Sequence, residues 1–147
     1  MDFRITNFQN SIDMPLIIFV DDNEADGHLF QTAINEILND CVVRFARCSK
    51  GFFDLLEKVT PEYIFLDIAM PGDDGISCLK KIRAQEKYDS IPIIMYSNSD
   101  SFKDECFIEK ANFYIKKPET YAELLSALRP IILFNAPKYK TFMSTFK

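Results

Sequence analysis

Apolar residues along the chain fall into short continuous runs separated by longer amphipathic stretches. The first run is Leu16-Ile17-Ile18-Phe19-Val20, rich in β-branched residues and unbroken by a polar position. Such a run suits a strand covered on both faces, as in a parallel sheet. It stops on Asp21-Asp22-Asn23, where Asn23 is placed to cap a helix. From about Glu24 to Leu38 the positions Leu29, Ala33 and Ile37 recur every four residues, with Phe30, Ile34 and Leu38 beside them, which predicts that helix. Cys41 to Ala46 reads as a second strand, followed by a helix capped by Ser49 and running through Lys58, before Thr60-Pro61 breaks it. Tyr63 to Leu66 is a third strand that delivers Asp67, and Pro71, Gly72 and Gly75 form the turn after it.

The alternation continues to the end of the chain. Ile76, Leu79 and Ile82 mark a third helix that reaches Arg83, and Ile93 to Tyr96 a fourth strand ending on Ser97. The polar stretch Ser97 to Ser101 is expected to cap a short helix through about Lys110. Phe113 to Ile115 is a fifth strand ending on Lys116-Lys117-Pro118, and Thr120-Tyr121-Ala122-Glu123 is a capping box for a last helix. Pro130 is expected to kink or end that helix, although Ile131 to Phe134 remains apolar. Five strand-helix alternations imply an α/β fold, a doubly wound parallel sheet with helices on both faces. The expected layout is an N-terminal arm over 1–14, one domain over 15–130, and a helix end or tail over 131–147.

Composition narrows the function classes. At 147 residues the chain is long enough for one well-buried core, and a net charge of -5 gives no bulk electrostatic case for nucleic-acid binding. No apolar run approaches bilayer length, and Met1-Asp2-Phe3-Arg4 lacks a basic segment followed by an apolar stretch, so neither a membrane span nor a signal peptide is expected. Cys41, Cys48, Cys78 and Cys106 show no paired spacing and read as small core residues in a reducing cytoplasm.

In a parallel sheet the strands all point one way. Asp21 and Asp22, Asp67, Ser97 and Lys117 therefore meet at one edge, the edge where open α/β sheets bind ligands. Crowded carboxylates repel one another unless a cation sits among them. Oxygen donors with no nearby His or Cys favour Mg²⁺. Lys117 adds a compact positive charge suited to a phosphate oxygen, and Ser97 a hydroxyl donor. These are the parts for placing a phosphoryl group on Asp67. His28, a turn away, reads as a surface side chain, and Asp74 before Gly75 as the cap of the third helix.

At this point the chain resembles the receiver domain of two-component response regulators, most closely the small stand-alone members. The resemblance spans about Leu16 to Leu128 and rests on Val20-Asp21-Asp22, Phe65-Leu66-Asp67-Ile68-Ala69-Met70-Pro71, Asp74-Gly75, Ser97 and Lys117-Pro118. It implies a flavodoxin-like (βα)5 fold with strand order 2-1-3-4-5. It implies Asp67 as phosphoacceptor, Asp22 as direct Mg²⁺ ligand, Asp21 as the acid holding metal-bound water, and the Ala69 carbonyl as a further ligand. Lys117, with Lys116 as its neighbour, matches the phosphoryl-contacting lysine. Ser97 matches the hydroxyl that follows the phosphate, and Tyr114 the aromatic that changes rotamer with it.

The same resemblance implies a sensor histidine kinase or phosphotransfer protein as donor and a downstream protein contacted through the face made by the fourth helix, fifth strand and last helix. Ile131 to Phe134 could supply a homodimer contact. Three departures stand out: a small Ala69, a bulkier Asn98 beside the phosphate pocket, and a short Ser99–Asn112 segment with Lys110 where glycine is common. Two other readings compete. One is a degenerate receiver that binds a partner without phosphorylation. The other is a haloacid-dehalogenase-type phosphatase, which needs a second acid where this chain has Ala69.

Overall fold

The computed structural model describes residues 15–134. The arm expected over 1–14 and the tail beyond 134 lie outside the described residues. Five strands, β1 (Leu16–Val20), β2 (Val42–Ala46), β3 (Tyr63–Asp67), β4 (Ile93–Ser97) and β5 (Phe113–Lys116), form one parallel sheet in the order β2-β1-β3-β4-β5. The connecting helices are α1 (Glu24–Ile37), α2 (Ser49–Leu56), α3 (Gly75–Arg83), α4 (Lys103–Ile108) and α5 (Tyr121–Phe134), with a 3-10 turn at Glu86–Tyr88.

Strand alternation divides the core in two. Ile17, Phe19, Tyr63, Phe65, Ile94 and Tyr96 face α1 and α5, where Phe30, Ile34, Leu128 and Ile132 meet them. Ile18, Val20, Ile64, Leu66, Ile93 and Met95 face the other way, against Phe52, Leu79, Ile82 and Cys106. Every residue of β3 and β4 is buried, which is why these strands read as unbroken apolar runs.

Local details depart from the sequence pattern in four places. Cys48, not Ser49, caps α2, its sulfur accepting from Gly51 N–H at 3.5 Å, and the helix ends at Leu56. Cys48 is also exposed, whereas Cys41, Cys78 and Cys106 are buried, and no disulfide joins any of the four. The serines expected to cap α4 bond instead to one another, with Ser99 N–H donating to Ser97 Oγ and Ser101 N–H to Ser99 Oγ; α4 starts at Lys103 with no side-chain cap. Finally, α5 runs through Pro130 to Phe134. The N–H that proline lacks would serve the Ser126 carbonyl, and both residues lie on the exposed side, where water can reach it. On the inner side Ile131 and Ile132 are buried, and Tyr63 Oη donates to the Ile131 carbonyl at 2.9 Å. These two isoleucines belong to the core, while Leu133 on the same stretch is half-buried.

Two anchors hold the shorter elements. A Cβ on Gly75 would lie 2.1 Å from the Asp67 carbonyl oxygen, so only glycine lets α3 start this close to the end of β3. Arg83 donates from three guanidinium nitrogens to the carbonyls of Lys110, Tyr88 and Ile91 and to Asn112 Oδ1, tying α3 to the β4 and β5 approaches. Burial lowers its pKa, yet these acceptors satisfy it without a carboxylate.

Lys110 ends α4. Ala111 N–H donates to the Cys106 carbonyl and Lys110 N–H to Phe107, the paired bonds of a Schellman motif, which puts Lys110 at φ 74. This left-handed position suits glycine and strains lysine. Lys110→Gly should therefore stabilise the fold by about 0.5–1 kcal/mol. Urea unfolding should show a higher midpoint with an unchanged slope. A midpoint equal to or below wild type would contradict the assignment.

Candidate functional site

Each strand end delivers one component of the site. β1 runs into Asp21 and Asp22, β3 ends on Asp67, β4 on Ser97, and β5 is followed by Lys117. Because the strands are parallel and in register, with Asp67 opposite Tyr96 and Ser97 opposite Lys116, these ends lie side by side. Pairing also separates the two lysines. Lys116 is exposed, whereas the Lys117 side chain is turned inward and only 11% exposed. The Lys117 backbone N–H donates to the Ser97 carbonyl at 2.7 Å, locking the two strand ends together.

Asp21, Asp22 and Asp67 bring carboxylate oxygens within 4.8 Å of one another. Asp21 and Asp67 are buried, at 6% and 4% exposure, and Asp22 is open to solvent. Lys117 Nζ donates to Asp21 at 3.0 Å and stands 3.5 Å from Asp67 Oδ1. Asn23 N–H donates to the other Asp21 oxygen at 3.0 Å, while Asn23 Oδ1 caps α1. Burial, then repulsion from Asp21, pushes the Asp67 carboxyl up to about 7, against an ordinary 3.8, despite help from Lys117 and the Ala69 N–H. Burial likewise raises Asp21. Burial alone would lower the Lys117 ammonium, but hydrogen bonds to Asp26 and Asp21 hold it well above its usual value.

A trio of oxygen donors with one exposed member fits a hard divalent cation that keeps part of its water shell. Asp21, Asp22 and Asp67 can hold it, and the exposed backbone at Ala69 lies two residues past Asp67.

The remaining expected residues are near but distinct. Ser97 is buried and its Oγ accepts from Ser99 N–H at 3.2 Å. Tyr114 is half-buried and its hydroxyl donates to the Ser99 carbonyl, so it is tied to the loop that leaves Ser97. Asn98, expected beside the phosphate pocket, is exposed and lines a groove with Asp26, Tyr96 and Lys117. His28 is exposed, and Asp74 caps α3 by accepting from Ser77 N–H at 2.9 Å. Asp73 pairs with Lys81 instead of joining the acidic trio. Asp26 was not legible as a site residue: its carboxylate accepts from Lys117 Nζ at 2.9 Å. Its place one helical turn from Asp22, beside the cap Asn23, was the available signal.

The model of the response regulator receiver domain matches residues 17–129. The chain belongs to the response regulator receiver domain family. Among curated relatives, it is 31% identical over 133 residues to hybrid signal transduction histidine kinase D of Dictyostelium discoideum, covering 85% of this chain but 8% of that protein. It is 28% identical over 118 residues to the protein PilG of Pseudomonas aeruginosa, covering 77% of this chain and 84% of the relative. The phosphorylated cyanobacterial phytochrome response regulator RcpA is a similar solved structure, with 25% identity, a TM-score of 0.76, and coverage of 82% of this chain and 93% of that one. The receiver sheet order 2-1-3-4-5 and the flavodoxin-like architecture are those expected from the sequence. Among the described residues no helix is long and apolar enough to cross a membrane.

Without a bound metal ion the acidic edge carries the cost of crowding. Between pH 4 and 7 the folded state binds a proton at Asp67 that the unfolded chain has already lost, so stability falls as pH rises through this window. Asp67→Asn removes that loss. In chelator the variant should gain about 1 kcal/mol or more over wild type at pH 7.5, and little at pH 4. Melting temperatures at the two pH values measure it, and equal melting of both proteins at pH 7.5 would contradict the crowding argument.

Proposed function

We propose that this receiver is a phosphorylation-controlled signalling module in which Asp67 accepts a phosphoryl group with Mg²⁺ as cofactor. The observation that carries this reading is the placement of Asp67, buried at the end of β3 between two acids and one inward-turned ammonium. A lone structural carboxylate has no need of such surroundings, whereas phosphoryl transfer depends on positioning and charge neutralisation.

The donor is a phosphohistidine on a sensor histidine kinase or phosphotransfer protein. The P–N bond breaks, a bond forms between phosphorus and an Asp67 carboxylate oxygen, and the departing imidazole takes up a proton. Asp22 and Asp67 with the Ala69 carbonyl would hold the Mg²⁺, and Asp21 would hold its water; when bound it would supply charge neutralisation for the phosphoryl oxygens. Lys117 turns its ammonium to a phosphoryl oxygen, and the Ser97 hydroxyl donates to another. Ser97 then gives up its bond from Ser99 N–H, and Tyr114, held by the Ser99 carbonyl, responds at the face of α4, β5 and α5.

This face reaches a downstream protein whose identity the residues do not specify. The module acts as a switch, not a turnover enzyme, apart from the gain and loss of its own phosphoryl group. Its unit spans about 15–130. The phosphatase reading lacks its acid, since Ala69 ends in a methyl group.

Incubation with acetyl phosphate and Mg²⁺ should give one phosphoryl adduct by intact-mass spectrometry. The adduct should be absent in Asp67→Asn and in chelator. No adduct on wild type, while a second receiver in the same tube is modified, would favour the phosphorylation-independent binding module.

A further inference from the structure

Lys117 is shared among three acids, and one of them lies outside the acidic trio. Its ammonium donates to Asp26 at 2.9 Å and to Asp21 at 3.0 Å, while the nearer Asp67 oxygen stands at 3.5 Å. Asp26 sits in the first turn of α1 and is not among the acids whose oxygens converge. Its backbone is fixed from behind, where its N–H donates to Asn23 Oδ1 at 3.1 Å. The ring of Tyr96 lies against the ammonium, 5.4 Å from centroid to Nζ, and adds cation–π attraction. Asp26, Tyr96, Asn98 and Lys117 line one groove between α1 and the approach to α5.

We propose that Asp26 is a positioning residue that latches the Lys117 ammonium on the α1 side of the site and so opposes phosphorylation of Asp67. This inference rests on Asp67 being the phosphoacceptor. A lysine ammonium is a compact charge on a flexible stem, and turning it to a phosphoryl oxygen weakens its existing bonds. Asp21 stands next to Asp67 and can keep its bond through that turn. Asp26, anchored in α1, competes for the same ammonium. Its own negative charge also lies close to a group that gains negative charge on modification. Both effects act in one direction, and removing the Asp26 charge relieves both.

A merely structural role is the alternative. An acid in the first turn of a helix interacts favourably with the helix dipole. Loss of that role lowers the melting temperature and leaves the labelling rate alone.

The test is the time course of labelling of the full chain by acetyl phosphate with Mg²⁺, followed by intact mass. Asp26→Asn should label about threefold to tenfold faster than wild type, the range expected for loss of one partly screened ion pair. Asp26→Glu, which can still reach Lys117, should return towards the wild-type rate. Glu24→Gln removes a charge from the same turn, where Glu24 pairs with Arg47, and should leave the rate unchanged. Labelling of Asp26→Asn at or below the wild-type rate would overturn the latch, as would equal acceleration by Glu24→Gln. Labelling of Asp26→Asn alone would support it strongly. Absence of label on both wild type and Asp26→Asn, beside a control receiver that labels, overturns the phosphoacceptor reading and the latch with it.

Discussion

Like charges gathered at the carboxyl edge of one parallel sheet are the constraint on which the site depends. The fold supplies the gathering at no local cost, because β1 and β3 are neighbours and end level with each other. It also takes two of the three carboxylates out of water. In that setting repulsion is only weakly screened. Among the described residues the protein answers with a single inward cation, Lys117, brought from a strand end distant in sequence. One ammonium among four acids leaves the described site short of positive charge.

The surrounding structure serves to keep those groups where they are. Gly75 permits the backbone of α3 to approach the Asp67 carbonyl, so the chain turns away immediately after Asp67. Asn23 works in two directions, its backbone N–H bonding Asp21 and its side chain capping α1. On the opposite side Arg83 collects three carbonyls and Asn112, which fixes the approach to β4 and β5. None of these contacts is chemically active, yet each limits the freedom of a strand end.

Most of the architecture was legible in the sequence, and for a simple reason. Strands buried on both faces must be continuous apolar runs, and β1, β3 and β4 are, so their ends fell where Asp67 and Ser97 say they should. The trio of acids with Lys117 followed from parallel topology alone. What failed to show were features set by tertiary geometry. The continuation of α5 through Pro130 depends on which side of the helix the proline faces. The choice of Cys48 over Ser49 as a cap is a matter of one residue of phase. Asp26 was hidden because an acid in a first helical turn already has an adequate local explanation, and its ion pair is with a residue from the other end of the chain. The groove position of Asn98 was equally a matter of side-chain direction, not of residue type.

Strand pairing also decides how a change at Asp67 can travel. Ser97 and Lys117 are joined by a backbone bond of 2.7 Å between their strands. That bond makes large relative motion of β4 and β5 expensive, so in the proposed switch the response comes from side chains and from the loop after Ser97. The loop is built for this. Its serines bond to one another, and the helix that follows has no side-chain cap to hold its start. Tyr114 reaches into the same loop from β5. In the proposed switch a hydroxyl drawn away from Ser99 acts on this loop, while the Arg83 bonds hold the far end of α4 through the Lys110 carbonyl. In that proposal a short helix fixed at one end, and with no side-chain cap at the other, converts a local change of hydrogen bonding into a change of surface.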